Sequence, residues 1–493
     1  MGLTDQVAAG LKWTAGLRTL TQIITWCGTL VVMRLLSPSD YGLMALASFF
    51  VMLFGFVADV GLGSALVQAP EIDKRSIQEA FGVILLVNLG IILVLMGGAP
   101  LVARVANEPR LTSVVRALAL MFVPAAVSVV PESLLKRELR FRPLSVIEFS
   151  GALAGTATTL GLALAGAGVW TLVAGTLVIA TWKAVGFNLL TPVRCWPSAS
   201  FEKVRRFLNF GGRVTASGML WQLYSDADLF FAGRFLGATA TGFYAVSKQL
   251  ATMPLERISQ VFNQVMYSAF ARLQHEPKRV AAQWIRSVQL VSFVILPIAW
   301  GMSCVARDAV SVVLGSRWAP AVLPLQLICL AIPFRLVAGF ATTVAQSRGR
   351  ADITLRIAVV SSVVMPAAFL IGCRYGIVGL SLVWVLVYPW VLVFSLRLTL
   401  GVIGLRLRDV ALAMRPALAV TLAMVLAVLA VSNLTAATDR NAVRLALTVM
   451  AGVLTYAVLS LAFNRGPLGD ILLLARGGSP QGAGEVQEEA VQQ

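Results

Sequence analysis

The sequence predicts an all-α polytopic membrane protein of about fourteen transmembrane helices, and three observations predict it. The 493-residue chain is 58% hydrophobic and only 13% charged, where an ordinary soluble chain carries roughly 25% charged residues. Apolar runs of about 18 residues or more recur from end to end, each long enough to cross a hydrocarbon core of about 30 Å as a helix. Basic residues gather in every second loop, as they do in cytoplasmic loops. Backbone polar groups in lipid must be satisfied within the segment, so the spans are expected to be helical.

The expected spans run 12–36, 41–67, 78–102, 111–131, 144–165, 168–191, 208–235, 240–268, 281–305, 319–345, 352–373, 376–400, 409–432 and 441–463. With the N-terminus inside, the cytoplasmic loops hold "DKR" (73–75), "LKRELRFR" (135–142), "FEKVRR" (201–206), "EPKR" (276–279), "SRGR" (347–350) and "LRLR" (405–408). Both termini then lie in the cytoplasm. The net charge of +17 is read as this loop bias rather than as a nucleic-acid footprint. The first apolar segment is too long for a cleavable signal and is expected to remain as a span. The polar tail 467–493 is expected to be disordered. The five cysteines are scattered without zinc or redox spacing, so they are read as packing residues.

An internal repeat organises these spans. "VVMRLLSPSDYGLMALA" (31–47) and "FAGRFLGATATGFYAVS" (231–247) align at an offset of 200, pairing Arg34 with Arg234, Gly42 with Gly242 and Ala45 with Ala245. Upstream, Leu20, Gln22 and Thr25 align with Leu220, Gln222 and Ser225, and "GAGVWTL" (166–172) matches "RYGIVGLSL" (374–382). The repeat predicts two six-helix bundles, 1–195 and 196–403, followed by two further helices within 404–466. Six spans per copy give both copies the same orientation, related by an axis along the membrane normal, with a central cavity and alternating access.

Ionisable groups at membrane depth usually face a cavity or a partner. Thr14, Arg18, Gln22, Thr25 and Thr29 form one stripe of the first helix, read as a hydrated cavity wall against the alternative of helix–helix contact. In "LYSDADLFFAGRFLG" (223–237), Asp226 and Asp228 point about 200° apart on a helix. Asp226 follows Gln222 and Ser225, the repeat counterparts of Gln22 and Thr25, and is expected to face the cavity. Asp228 falls with Arg213, Ser217, Trp221 and Tyr224 and is expected to pack within its bundle, satisfied by Tyr224 or Lys248. A glycosyltransferase D-x-D metal site needs both carboxylates in one solvated turn, which this spacing within a helix does not supply. The expected substrate-binding set is Arg18, Gln22, Thr25, Gln222, Asp226, Arg257 and Arg335. Asp59, Glu148, Asp228 and Glu256 are expected coupling or structural acids. Asn88, Lys248, Asn263, Arg356 and Arg397 are further polar groups at depth, each equally readable as a helix-end or local pair. Basic groups dominate, which suits an anionic substrate, and arginine suits phosphate. His275 sits in a polar loop with no expected role. No P-loop, HExxH or GxSxG pattern appears, so nucleotide hydrolysis and hydrolytic chemistry have no support and no cofactor or enzymatic activity is expected.

"RLLSPSDYG" (34–42), "ADVGLGSALVQ" (58–68), "DLFFAGRFLGATATGFY" (228–244) and "FRPLSVIEFSGALAGTATTLGLALAGAGVWTLV" (141–173) resemble the Wzx-type polysaccharide flippases of the multidrug/oligosaccharidyl-lipid/polysaccharide exporter superfamily. "MPLERISQVFNQVMYSAFARLQ" (253–274) is similar to the colanic-acid-exporter branch and to succinoglycan and xanthan transporters. The resemblance implies two six-helix bundles plus two helices. It implies transport of an undecaprenyl-pyrophosphate-linked oligosaccharide from the cytoplasmic to the periplasmic leaflet of the inner membrane, driven by an H+ or Na+ gradient. The polysaccharide polymerase and the chain-length and export machinery are the implied protein partners, with no nucleic acid. The family pattern makes Asp228 rather than Asp226 the helix-7 acid, and it carries over Asp59 with Gly61 and Gly63, the glycines being read as close-packing positions. Two rivals are a cation-coupled multidrug exporter, which calls for an acid-rich cavity, and a membrane glycosyltransferase or polymerase, which calls for a long extramembrane loop with catalytic acids.

Overall fold

The computed structural model describes residues 3–58, 61–68, 72–191, 196–198, 205–272, 276–348, 350–435 and 441–464, with 466 and 469. The side chains of 3–15, 18, 64–65, 68, 205–217, 255–272, 277 and 351 lie outside that description. Helices account for nearly all of the described residues, and no strand occurs among them. In chain order they are α1 (Leu3–Leu35), α2 (Pro38–Ala58), α3 (Leu62–Gln68), α4 (Lys74–Ala106), α5 (Leu111–Ala119), α6 (Phe122–Arg137), α7 (Phe141–Leu164), α8 (Trp170–Leu190) and α9 (Arg205–Arg272). Then follow α10 (Pro277–Val313), α11 (Val322–Ser347), α12 (Ala351–Gly372), α13 (Gly376–Leu386), α14 (Tyr388–Ile403), α15 (Leu407–Leu434) and α16 (Asn441–Phe463).

Eleven stretches of the described residues are long and apolar enough to cross a membrane. Two of them, Gly218–Pro254 and Asp352–Ile403, each hold two expected spans, and α1 contributes a shorter apolar piece, Thr19–Leu35. All fourteen expected segments therefore have a helical counterpart, and the chain is a multi-pass membrane protein. Large apolar side chains face outward, such as Leu164 at 76% and Leu189 at 77% exposure, as lipid rather than water permits.

Three boundaries differ from the sequence expectation. The second span is not one helix. Gly61, at φ 69°, stands in a turn just before α3, in a conformation that a Cβ would strain. The carbonyl of Ala58 that the break frees accepts from Asn88 Nδ2 at 2.9 Å, which gives Asn88 a structural role. The fourth span is bent between α5 and α6 at Leu120–Met121. Spans seven and eight are two helices that meet directly at Gly237, whose φ 82° and ψ 171° are not helical, with no longer loop between them; α9 denotes both arms.

The chain divides into two compact units, residues 1–246 with 362–380, and residues 247–361 with 381–493. In the first, α1 packs on α7 and α7 on α8, while α4 packs on α5 and α6. Leu43, Leu46, Ile91, Leu95, Val115 and Phe122 are among the residues of a core in this unit. In the second, α10 packs on α11, α15 and α16, around Trp284, Val288, Val337, Leu400 and Ala417. The repeat is visible in the turns: Gly168 and Gly376, matched in the sequence, both have positive φ, 57° and 69°.

Proline within a helix removes one N–H and frees the carbonyl four residues earlier, a cost that lipid cannot offset with water. Three such carbonyls are met by side chains of neighbouring helices. Met96, freed by Pro100, accepts from Arg116 Nε at 3.1 Å. Val127, freed by Pro131, accepts from Asn188 Nδ2 at 2.9 Å. Phe293, freed by Pro297, accepts from Tyr456 Oη at 2.6 Å.

Candidate functional site

The expected site residues separate into three groups. Arg18, Arg257 and Glu256 have side chains outside the described residues, as do Arg213, Ser217 and Asn263, while Asp59 and His275 lie outside them altogether. Gln22, Thr25 and Thr29 are half-buried along α1, Glu148 is half-buried on α7, and Arg356 and Arg397 are exposed on α12 and α14. The remaining residues fall into two clusters, one in each unit.

In the first unit the arm of α9 before Gly237 carries Gln222, Asp226 and Asp228. Gln222 is buried and donates through Nε2 to the Asp226 carboxylate one turn later. Asp226 itself is half-buried. Asp228, two residues on, is fully buried and occupies a different environment. Its Oδ2 accepts from Tyr244 Oη at 2.7 Å, and its Oδ1 accepts from the Leu229 amide at 2.8 Å. The expected separation of the two faces is thus present. The 2.7 Å bond, however, comes from neither of the expected donors, Tyr224 and Lys248, but from a tyrosine on the other side of the kink. The turn at Gly237 is what folds Tyr244 back to reach the acid. This arm also runs antiparallel along α2. Leu46 lies against Gly233, the Phe49 ring stacks on Phe230 with centroids 5.6 Å apart, and Phe56 lies against Gly218.

In the second unit Trp384 of α13 gathers cations. The Arg335 guanidinium of α11 stands 4.0 Å from its ring centroid, and the Lys248 ammonium of α9 stands 5.7 Å from it. Trp384 is fully buried and the two cations are half-buried. The Tyr388 ring lies 5.7 Å beyond. A ring quadrupole attracts cations, and the attraction grows when the pair is desolvated. A guanidinium held in this way keeps its donors in a set orientation, suited to two oxygens of one phosphate or carboxylate. Sequence reading named Arg335 and Lys248 singly. Trp384 was not singled out, because a tryptophan in an apolar run carries no signal of which helix it will meet.

The same unit carries a partly open apolar cavity of about 580 Å³ between α10, α15 and α16, lined among others by Pro297, Gly301, Met302, Met424, Gly452 and Tyr456. Proline and glycine at the facing positions leave room that larger side chains would fill. Beside it, Arg444 of α16 makes a two-point ion pair with the buried Asp308 of α10, Nε to Oδ2 at 2.8 Å and Nη2 to Oδ1. Neither residue was singled out in the sequence. Asp308 lies beyond the expected end of span nine at 305, where an acid reads as a loop residue.

Comparison with known proteins places this architecture. Over 395 residues the chain is 25% identical to the lipopolysaccharide biosynthesis protein WzxC of Escherichia coli (strain K12), covering 78% of this chain and 79% of that protein. It is 23% identical over 485 residues to the succinoglycan biosynthesis transport protein ExoT of Rhizobium meliloti (strain 1021), covering 97% of each. The fold is shared with the lipid II flippase MurJ in its inward closed conformation, at TM-score 0.72 and 12% identity, covering 92% of this chain and 98% of that one. The model of the family described as polysaccharide biosynthesis protein matches residues 31–323. That match takes in both α2 and the whole of α9, and the chain belongs to this polysaccharide biosynthesis protein family.

Proposed function

We propose that the protein is a transporter, not an enzyme, that flips undecaprenyl-pyrophosphate-linked oligosaccharide repeat units from the cytoplasmic to the periplasmic leaflet by alternating access. It sits in the inner membrane with both termini in the cytoplasm and supplies a polymerase and its chain-length and export partners. The observation that carries this reading is the pair of cations on Trp384. A lipid-linked saccharide offers three surfaces to a protein: a pyrophosphate, a polar glycan and a hydrocarbon chain. Arg335 and Lys248 suit the first, and the half-buried Gln22, Thr25 and Asp226 suit the second. The apolar cavity bounded by α10, α15 and α16 suits part of the third. Relatives whose names concern lipopolysaccharide and succinoglycan biosynthesis support the same substrate class. An exporter of organic cations would instead call for acids where Arg335 and Lys248 stand. The acids of α9, Asp226 and Asp228, are the candidates for coupling to H+ or Na+.

The test is Arg335→Ala against Arg335→Lys, each measured as polymer exported per unit of membrane-inserted protein. Arg335→Ala is expected to lose at least about tenfold, with lipid-linked repeat units accumulating on the cytoplasmic side. Arg335→Lys is expected to recover part of the activity, because the charge survives without the planar fork. Full export by Arg335→Ala would overturn the assignment. A deletion strain that exports its polymer normally but becomes sensitive to organic cations would overturn the function.

A further inference from the structure

Four residues of the first unit meet in a reciprocal way. An ideal Cβ on Gly42 would fall onto the Ala238 carbonyl, 2.6 Å from its carbon, and 2.9 Å from the Gly242 nitrogen. An ideal Cβ on Gly242 would fall onto the Pro38 carbonyl, 2.6 Å from its carbon, and 3.1 Å from the Gly42 nitrogen. Real Cβ atoms do not approach backbone so closely, so both positions must be glycine for this contact to exist. The participants are also the repeat's own equivalents: Pro38 with Ala238 and Gly42 with Gly242, each 200 apart. A contact in which i meets j and the equivalent of j meets the equivalent of i lies on a two-fold axis. For parallel repeats that axis runs along the membrane normal through the substrate path. Each glycine stands in the first turn and a half of the helix that follows a turn. At α2 that turn is capped by Ser37 and Asp40; in α9 it is the kink at Gly237. The charge pattern puts both turns on the periplasmic side.

We propose that the Gly42–Gly242 contact is a backbone seal that closes the periplasmic end of the substrate path and must part in every transport cycle. This rests on the alternating-access reading above. Glycine suits such a seal because backbone meets backbone over a small area, with no side chains to interlock. The seal is close enough to exclude a saccharide, and opening it also separates the Leu46–Gly233 and Phe49–Phe230 contacts of the same two helices. Gly55, on the same helix α2, has nothing within 4 Å of its ideal Cβ, so it serves as an internal control.

The experiment uses the full chain with its five cysteines replaced and one reporter, Ala238→Cys, treated with an impermeant maleimide in intact cells. Ala238 is buried and Thr239 is exposed. Gly42→Ala and Gly242→Ala are each expected to raise the labelling rate of the reporter at least about fivefold and to cut polymer export at least about tenfold at equal membrane insertion. Gly55→Ala is expected to change neither. Unchanged labelling in an inserted Gly42→Ala or Gly242→Ala protein overturns the seal, whatever is transported. Raised labelling with no effect on any lipid-linked saccharide leaves the seal standing and overturns the flippase reading instead. Should the alanine variants fail to accumulate, the reporter in the otherwise unsubstituted background decides. Labelling that is slower than at Thr239→Cys but runs to completion supports a contact that opens. A reporter that is never labelled shows a static contact and overturns the proposal.

Discussion

Asp228 and Asp308 are both buried in apolar helices, one in each unit, yet they are held in different ways. Asp308 takes a two-point ion pair from Arg444, which ties α16 to α10. Asp228 takes hydrogen bonds from a phenol and a backbone amide, and its phenol comes from across a kink in its own helix. A guanidinium–carboxylate pair fixes two helices at one distance and loses most of its worth when either partner goes. A carboxylate met by a hydroxyl keeps an acceptable bond whether or not it is charged, because the tyrosine can donate to a carboxylate or accept from a carboxylic acid. The first arrangement pins a structure. The second ties the acid to the helix arm beyond Gly237.

Breaking the ion pair should have the larger effect. Arg444→Ala leaves the buried Asp308 without its partner and should cost about 2–3 kcal/mol. This is below the full value for a sequestered pair, since Arg444 keeps 18% side-chain exposure. Membrane-inserted protein should fall several-fold. The joint Asp308→Asn, Arg444→Gln variant should recover much of the loss, and detergent-solubilised melting would report both. If Arg444→Ala accumulates and melts like the parent, the pinning role is wrong.

At Asp228 the expected effects are smaller and divide differently. Tyr244→Phe removes one donor from a buried acceptor and should cost roughly 1–2 kcal/mol. Asp228→Asn keeps an oxygen for Tyr244 and should lower the amount of stable protein only modestly. Asp226→Asn should leave the amount unchanged and reduce export per inserted molecule. A stable but inactive Asp228→Asn beside a fully active Asp226→Asn would reverse the two roles and make Asp228 the transport acid.

The smallest effect is expected at Tyr456, whose hydroxyl meets the Phe293 carbonyl freed by Pro297. Hydrogen bonds between membrane helices are worth roughly 1 kcal/mol or less, so Tyr456→Phe should shift the melting temperature slightly and leave insertion intact. Because Tyr456 also lines the apolar cavity, a large loss of export at unchanged stability would show that its hydroxyl serves the substrate rather than the helix backbone.

Sequence alone determined the fourteen apolar helical segments, the repeat and the separation of Asp226 from Asp228. These depend on hydropathy, on identity at a constant offset and on helical periodicity, which are local or one-dimensional properties. It also located the chain reversal near residue 237, between the expected spans 208–235 and 240–268, but not that a single glycine would make it without a loop. Only the tertiary structure decided which groups meet. Tyr244 is sixteen residues from Asp228, Arg444 is 136 from Asp308 and Tyr456 is 163 from Phe293. No periodicity links such positions. In lipid the apolar effect does not choose between helix faces, because the solvent is as apolar as the side chains. Pairing is left to close packing and to the few polar groups that must find partners. Those partners are specific in three dimensions and unmarked in one, which is why Arg18 and Gln22 could be grouped on one face of α1 and Asp226 with Gln222 on one face of α9 from their spacing, while Trp384, Asp308 and the reciprocal contact of Gly42 with Gly242 could not.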